Sequence, residues 1–136
     1  MHTERDIGRI LRESKTVAVV GLSSNPERAS YQVARYLQEH GYRIIPINPT
    51  VDEVLGERSY ASMTDVPYPV DVVDVFRRAE ELGSIVDEAV ANGAKVLWLQ
   101  LGIVSEKAAQ MARDVGLEVV MDRCMKQDHR KLDADG

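Results

Sequence analysis

The stretch Val17-Ala18-Val19-Val20-Gly21-Leu22-Ser23-Ser24-Asn25-Pro26-Glu27-Arg28-Ala29-Ser30-Tyr31 decides the fold. A β-branched apolar run stops at one glycine, passes through a polar loop, and gives way to helical spacing at Ser30, with Val33, Ala34 and Leu37 on one face. A run that is apolar on both faces suits a central parallel strand. A strand that leaves its sheet at a glycine and feeds a helix start is where α/β proteins seat phosphate, because free backbone amides and the helix dipole point there. The loop is not the usual dinucleotide fingerprint: Ser23 and Pro26 stand where G-x-G-x-x-G has its second and third glycines.

Working outward, residues 15–20 form the first strand, and the helix after it stops at His40-Gly41, a basic last turn followed by glycine. Upstream, Thr3 and Asp6 resemble a capping box, and Ile7, Ile10 and Leu11 place a helix over residues 4–13. Downstream, residues 42–47 form a strand closed by Asn48-Pro49, since the residue before proline is pushed out of helical geometry. Residues 51–65 hold no sustained period and read as an irregular connection with short pieces near Tyr60 and Met63. Strands follow at 70–75, 95–99 and 117–121. Helices lie at 79–91, with Leu82, Ile85, Val86, Ala89 and Val90 on one face, and at 105–115, capped by Ser105. The remainder, about 122–136, is a polar tail.

Strand and helix alternate without an internal repeat or linker, so the expected fold is a single α/β domain over residues 1–136. It is a Rossmann-like, doubly wound parallel sheet with helices on both faces. Ligands of such sheets lie beyond the carboxyl ends of the strands, where strand order reverses. Four segments are expected to meet there: 21–30, Asn48-Pro49, Val75-Phe76-Arg77 and Gln100-Leu101-Gly102.

Bulk properties narrow the partners. The chain has 136 residues, one cysteine, and 17 Lys+Arg against 22 Asp+Glu, a net charge of −5. It buries a core without a disulfide or metal staple, and no basic and aromatic track for nucleic acid is present. The polar start at Met1-His2-Thr3 has no signal-peptide core, and no apolar run approaches a membrane span, so the expectation is a cytoplasmic protein. An outer helix or the polar tail offers a surface for a homodimer or a partner enzyme.

The strand-end residues define the candidate chemistry. Nicotinamide dinucleotide sites usually place a carboxylate at the end of the second strand, and here that position is Asn48. A neutral amide is compatible with a ribose that itself carries phosphate, as in coenzyme A or NADP; its other role is to shape the Asn-Pro turn. Ser23, Arg28 and Ser30 supply hydroxyl and guanidinium donors for phosphate. Against this, Ser30 serves simply as an N-cap and Arg28 as a solvated charge. Phe76 and Arg77 leave a buried strand where adenine rests on apolar atoms, and Gln100 with Gly102 lines a path for pantetheine. Cys124 and His129 lack a third partner for metal or nucleophilic work. Asp71 and Asp74 face opposite sides of a strand and form no acid/base pair.

The blocks VAVVGLSSNPERASY (17–31), GYRIIPINP (41–49), VDVVDVFR (70–77), WLQLGI (98–103) and VVMDRCMK (119–126) together cover nearly the whole chain. In these it resembles the small single-domain CoA-binding proteins, relatives of the CoA-binding domain of the succinyl-CoA synthetase α subunit. The resemblance implies coenzyme A or an acyl-CoA lying across Gly21, Ser23, Arg28, Ser30, Asn48, Pro49, Val75, Phe76, Arg77, Gln100 and Gly102. The ligase domain and phosphorylated histidine loop of the synthetases have no counterpart, so the expectation is a binding module without a catalytic set. The rival expectations are a small NADP-dependent oxidoreductase and an acyl-transfer enzyme using Cys124.

Overall fold

A computed structural model of the chain describes residues 4–135. Five short apolar runs become β1 (Thr16–Val20), β2 (Arg43–Ile47), β5 (Val72–Val75), β6 (Val96–Leu99) and β7 (Glu118–Met121). They pair in parallel in the order β2-β1-β5-β6-β7. The helices are α1 (Glu4–Glu13), α2 (Ala29–Glu39), α3 (Leu82–Asn92), α4 (Glu106–Asp114) and α5 (Met125–Asp135). This is the expected α/β Rossmann-like sheet, in the 2-1-3-4-5 variant of the doubly wound order.

Alternation along the strands divides the core into two layers. Val17 and Val19 of β1, with Val72, Val96, Trp98 and Val120, pack under α1, α2 and α5. Ala18 and Val20, with Val73, Val75, Leu97, Leu99 and Val119, pack under α3 and α4. Both faces of each central strand are thus buried, which is why these runs lack polar alternation. Asp71 closes the amino ends of the sheet: its Oδ2 accepts the amides of Lys15 and Thr16 at 2.8 and 3.1 Å.

Several local expectations are corrected. The helix after the loop that follows β1 starts at Ala29 with Arg28 at the N-cap, so Ser30 is not a cap but lies inside the first turn. The irregular connection contains a two-residue hairpin, β3 (Glu53–Val54) with β4 (Glu57–Arg58), and a 3-10 turn at Met63–Asp65. Residues 79–91 are not one helix: a 3-10 turn at Ala79–Glu81 precedes α3. Most of the polar tail folds as α5. Met125 of that helix is fully buried, and Arg123 just before it holds Asp128 through two 2.8 Å hydrogen bonds and Glu4 of α1 through one of 2.9 Å. Ser105 caps α4 as expected, accepting the amide of Ala108 at 3.1 Å. The proposed box at Thr3 lies outside the described residues. Among those residues, no helix is long and apolar enough to cross a membrane.

Candidate functional site: two joined clefts at the strand ends

Strand order reverses at β1, whose successor β2 lies on one side and β5 on the other. The crevice therefore opens over the junction of β1 and β5, above Gly21 and Phe76. Gly21 makes that junction tight. Its φ is +87°, and a Cβ built on it would lie 2.9 Å from the Phe76 carbonyl oxygen, so only glycine allows the two strand ends to meet this closely. Its amide donates to Ile47 O at 3.0 Å, and the Phe76 amide donates to Val20 O at 2.9 Å.

The loop that follows is held by its own side chains. Ser30 is 6% exposed, and its Oγ accepts the Ser23 amide at 3.0 Å; Ser23 Oγ accepts the Asn25 amide, and Asn25 Oδ1 the Glu27 amide, each also at 3.0 Å. These bonds fix the loop while leaving the opening amides of α2 without intrahelical acceptors, as at any helix start. Asn48 shapes the turn after β2, as one of its two readings expects. Its Oδ1 accepts the amide and hydroxyl of Thr50 at 2.9 and 2.7 Å, and its Nδ2 donates to Leu22 O at 2.9 Å. The end of β2 is thereby tied to the loop that follows β1.

Two clefts open here. One, of about 450 Å³, is lined by the Gly21, Ser23, Arg28, Ser30, Asn48 and Thr50 segments. The other, of about 720 Å³, is lined mainly by apolar atoms of Ala29, Val33, Phe76, Leu101, Ile103 and Val104, with Arg78, Gln100, Gly102, Cys124 and Gln127. They share Ala29, Phe76 and Arg77 as a common wall. Together their linings contain Arg28, Arg77 and Arg78 and no carboxylate, in a chain with more acidic than basic residues. Among the described residues neither Arg28 nor Arg77 forms an ion pair.

Of the eleven residues singled out above, nine line these two clefts. Pro49 faces instead a smaller cleft on the α3 side, which Arg77 also reaches, and Val75 is fully buried beneath the floor. Sequence reasoning passed over Thr50, Arg78 and Gln127. The N-P-T triplet signals an Asx turn that brings Thr50 back to the strand end; Gln127 lay in a segment with no periodic signal. Gly102 is held in place by its amide, which donates to Asp122 Oδ1 at 2.7 Å.

Two buried polar groups lie near the floor. Gln100 is 6% exposed and its Oε1 has no hydrogen-bond partner. Asp74, on the α2 side of β5, is fully buried with neither oxygen paired, and burial pushes its carboxyl well above the usual carboxylate range. Burial thus favours the protonated form of Asp74. On α5, burial and the neighbouring His40 hold His129 below the ordinary imidazole value. Its Nδ1 lies 2.9 Å from the Tyr36 hydroxyl, in hydrogen-bond contact. Among the described residues no group of three or more acidic, His or Cys side chains forms a metal site.

The family model for the CoA binding domain matches residues 15–130, which includes every segment of both clefts. The chain belongs to the CoA-binding domain family. Within similar proteins, YneT of Bacillus subtilis, described as uncharacterized, is 44% identical over 93% of this chain and 94% of its own length. An ADP-forming acetate–CoA ligase of Methanocaldococcus jannaschii is 28% identical over 82% of this chain, but the match spans only 17% of the ligase. A solved hypothetical protein of Pyrococcus horikoshii superposes with a TM-score of 0.93 and 40% identity, covering 96% of this chain and 92% of that one. This member of the CoA-binding domain family is thus related to the CoA-binding part of acetate–CoA ligase, and two other relatives match 93% and 96% of its length.

Proposed function

We propose that the chain is a binding module for coenzyme A or an acyl-CoA. The observation that carries this reading is the pair of joined clefts, one polar and one apolar, with three arginines and no carboxylate in the lining. The polar cleft suits the phosphates: Ser23, Arg28 and the first amides of α2 converge there, and charge-assisted hydrogen bonds to phosphate are strong. The apolar cleft suits the pantetheine arm and any acyl group it bears. Leu101 and Val104 stand 58% and 52% exposed at its rim, where an arm would cover them. At the end of β2 a neutral Asn48 leaves room for a phosphorylated ribose, whereas a carboxylate there would repel it.

Thermal shift and calorimetry test the reading with coenzyme A, dephospho-CoA and NADP at matched concentrations. Coenzyme A is expected to raise the melting temperature, dephospho-CoA to raise it less, and NADP not to raise it, because stabilisation follows affinity. A shift with NADP and none with coenzyme A overturns the reading.

A further inference from the structure

The larger cleft carries a thiol for which phosphate binding has no use. Cys124 stands in the turn between β7 and α5, is partly buried, and lines the cleft beside Phe76, Val104 and Gln127. Its backbone is fixed on both sides. The Asp128 amide donates to Cys124 O at 3.0 Å, and the Trp98 indole donates to Arg123 O at 2.8 Å.

A second observation points to a ligand at the same place. Gln100 lines this cleft, is 94% buried by its 6% exposure, and has an amide oxygen with no donor. A buried acceptor left unpaired is costly; the Gln100 oxygen is closed off in this structure, and a turn of its amide towards the cleft would offer it to a ligand bearing an N–H. The arm of coenzyme A carries secondary amides and ends in a thiol. With its phosphates over the start of α2, the arm passes the shared wall at Phe76 and Arg77 into the cleft that holds Gln100 and Cys124.

We infer that Cys124 is a site of reversible covalent attachment, forming a mixed disulfide with the thiol end of the bound cofactor. The inference rests on the reading that coenzyme A occupies the two clefts. The co-reactant is the symmetrical disulfide of coenzyme A. The Cys124 thiolate attacks the nearer sulfur, the cofactor S–S bond breaks, and a Cys124–S–S–cofactor bond forms. The other half leaves with the electron pair as a thiolate and takes up the proton that Cys124 gave up. The disulfide is itself the oxidant. Attack by a free cofactor thiol reverses the step, so occupancy of Cys124 follows the ratio of thiol to disulfide in the cofactor pool.

The test uses the whole reduced chain, treated at equal concentration with coenzyme A disulfide or oxidised glutathione, with adducts followed by intact-mass spectrometry. Cys124 is the sole cysteine, so any disulfide adduct is located by its mass. In the folded protein the coenzyme A adduct is expected to form at least about tenfold faster, because docking raises the local concentration of the disulfide. The ratio is expected to fall towards one in denaturant, and adenosine 3′,5′-bisphosphate is expected to slow only the coenzyme A reaction. Calorimetry with coenzyme A under a phosphine reductant separates the two ideas. Binding there, with equal adduct rates in the folded protein, overturns the covalent site and leaves the binding reading standing. No binding there overturns both.

Discussion

Gly21 and Gly102 both hold left-handed backbone at the cleft floor, with φ of +87° and +89°, yet their surroundings differ. A Cβ on Gly102 would meet nothing within 4 Å, whereas one on Gly21 would meet the Phe76 carbonyl at 2.9 Å. Gly102→Ala is therefore expected to cost only the conformational strain, about 1 kcal/mol, and Gly21→Ala about 3 kcal/mol together with most coenzyme A affinity. Chemical denaturation of the two variants checks this, and equal losses would rule out the close approach as the cause. Asn48→Asp removes the Nδ2 donor to Leu22 O and adds a charge beside the proposed ribose phosphate. Coenzyme A affinity is expected to fall by about tenfold while unfolding stays cooperative; calorimetry reads the first and a melt the second. Asp74 gives a pH signature. Its carboxyl holds a proton in the native state at pH values where the unfolded chain has lost it. Its contribution is thus full below the ordinary carboxylate value and is lost as pH rises towards the raised one. Asp74→Val is expected to stabilise the protein at neutral pH by about 1–3 kcal/mol and to flatten the decline above pH ~4 in denaturant titrations repeated across pH.

Among the elements, α5 is the one that hydropathy hid. Its sequence is strongly polar, and it docks through a few contacts: buried Met125, the Arg123–Asp128 pair, and His129 against Tyr36, His40 and Tyr42. A helix held by specific polar and ring contacts leaves little apolar periodicity to read. The central strands were legible for the opposite reason, since burial on both faces leaves continuous β-branched runs. Ser30 is a favoured N-cap type and, read so, starts α2 two residues late, whereas its hydroxyl serves the Ser23 amide across the loop. Likewise β3 and β4 are two residues each, too short to show a period. The docking of α5 carries its own pH dependence. Burial and His40 depress the His129 pKa, with Asp133 opposing, so the unfolded imidazole binds protons more readily than the docked one. The contribution is full above the unfolded value near 6.5 and is lost as pH falls from there through the lower docked value. Hydrogen exchange is expected to show α5 amide protection dropping a few-fold between about pH 7 and pH 5, with β1 unaffected, and His129→Asn is expected to abolish the drop.

At the scale of the molecule, charge is distributed against the average. The chain has a net charge of −5, yet the two cleft linings hold arginines and no carboxylate. Attraction between such a mouth and a polyphosphate is screened by salt over a Debye length of about 10 Å at 0.1 M. Raising salt tenfold from low ionic strength is expected to weaken coenzyme A binding several-fold, chiefly through slower association, which stopped-flow fluorescence of the Trp98 side chain checks. The doubly wound parallel sheet was legible because crossover handedness and strand ends follow from the alternation of elements, whereas the strand order was not. The division into two clefts was not, since it depends on where Arg77 and the 101–104 turn lie in space.

The loop after β1 is ordered before any ligand arrives. Ser23, Asn25 and Ser30 already occupy the amides of residues 23, 25 and 27, so the ordering of this segment is completed when the chain folds. Coenzyme A, bound as proposed, would then meet a finished socket: little backbone entropy would remain to be lost on docking, and encounter and seating would merge into a single kinetic phase without a slow isomerisation behind it.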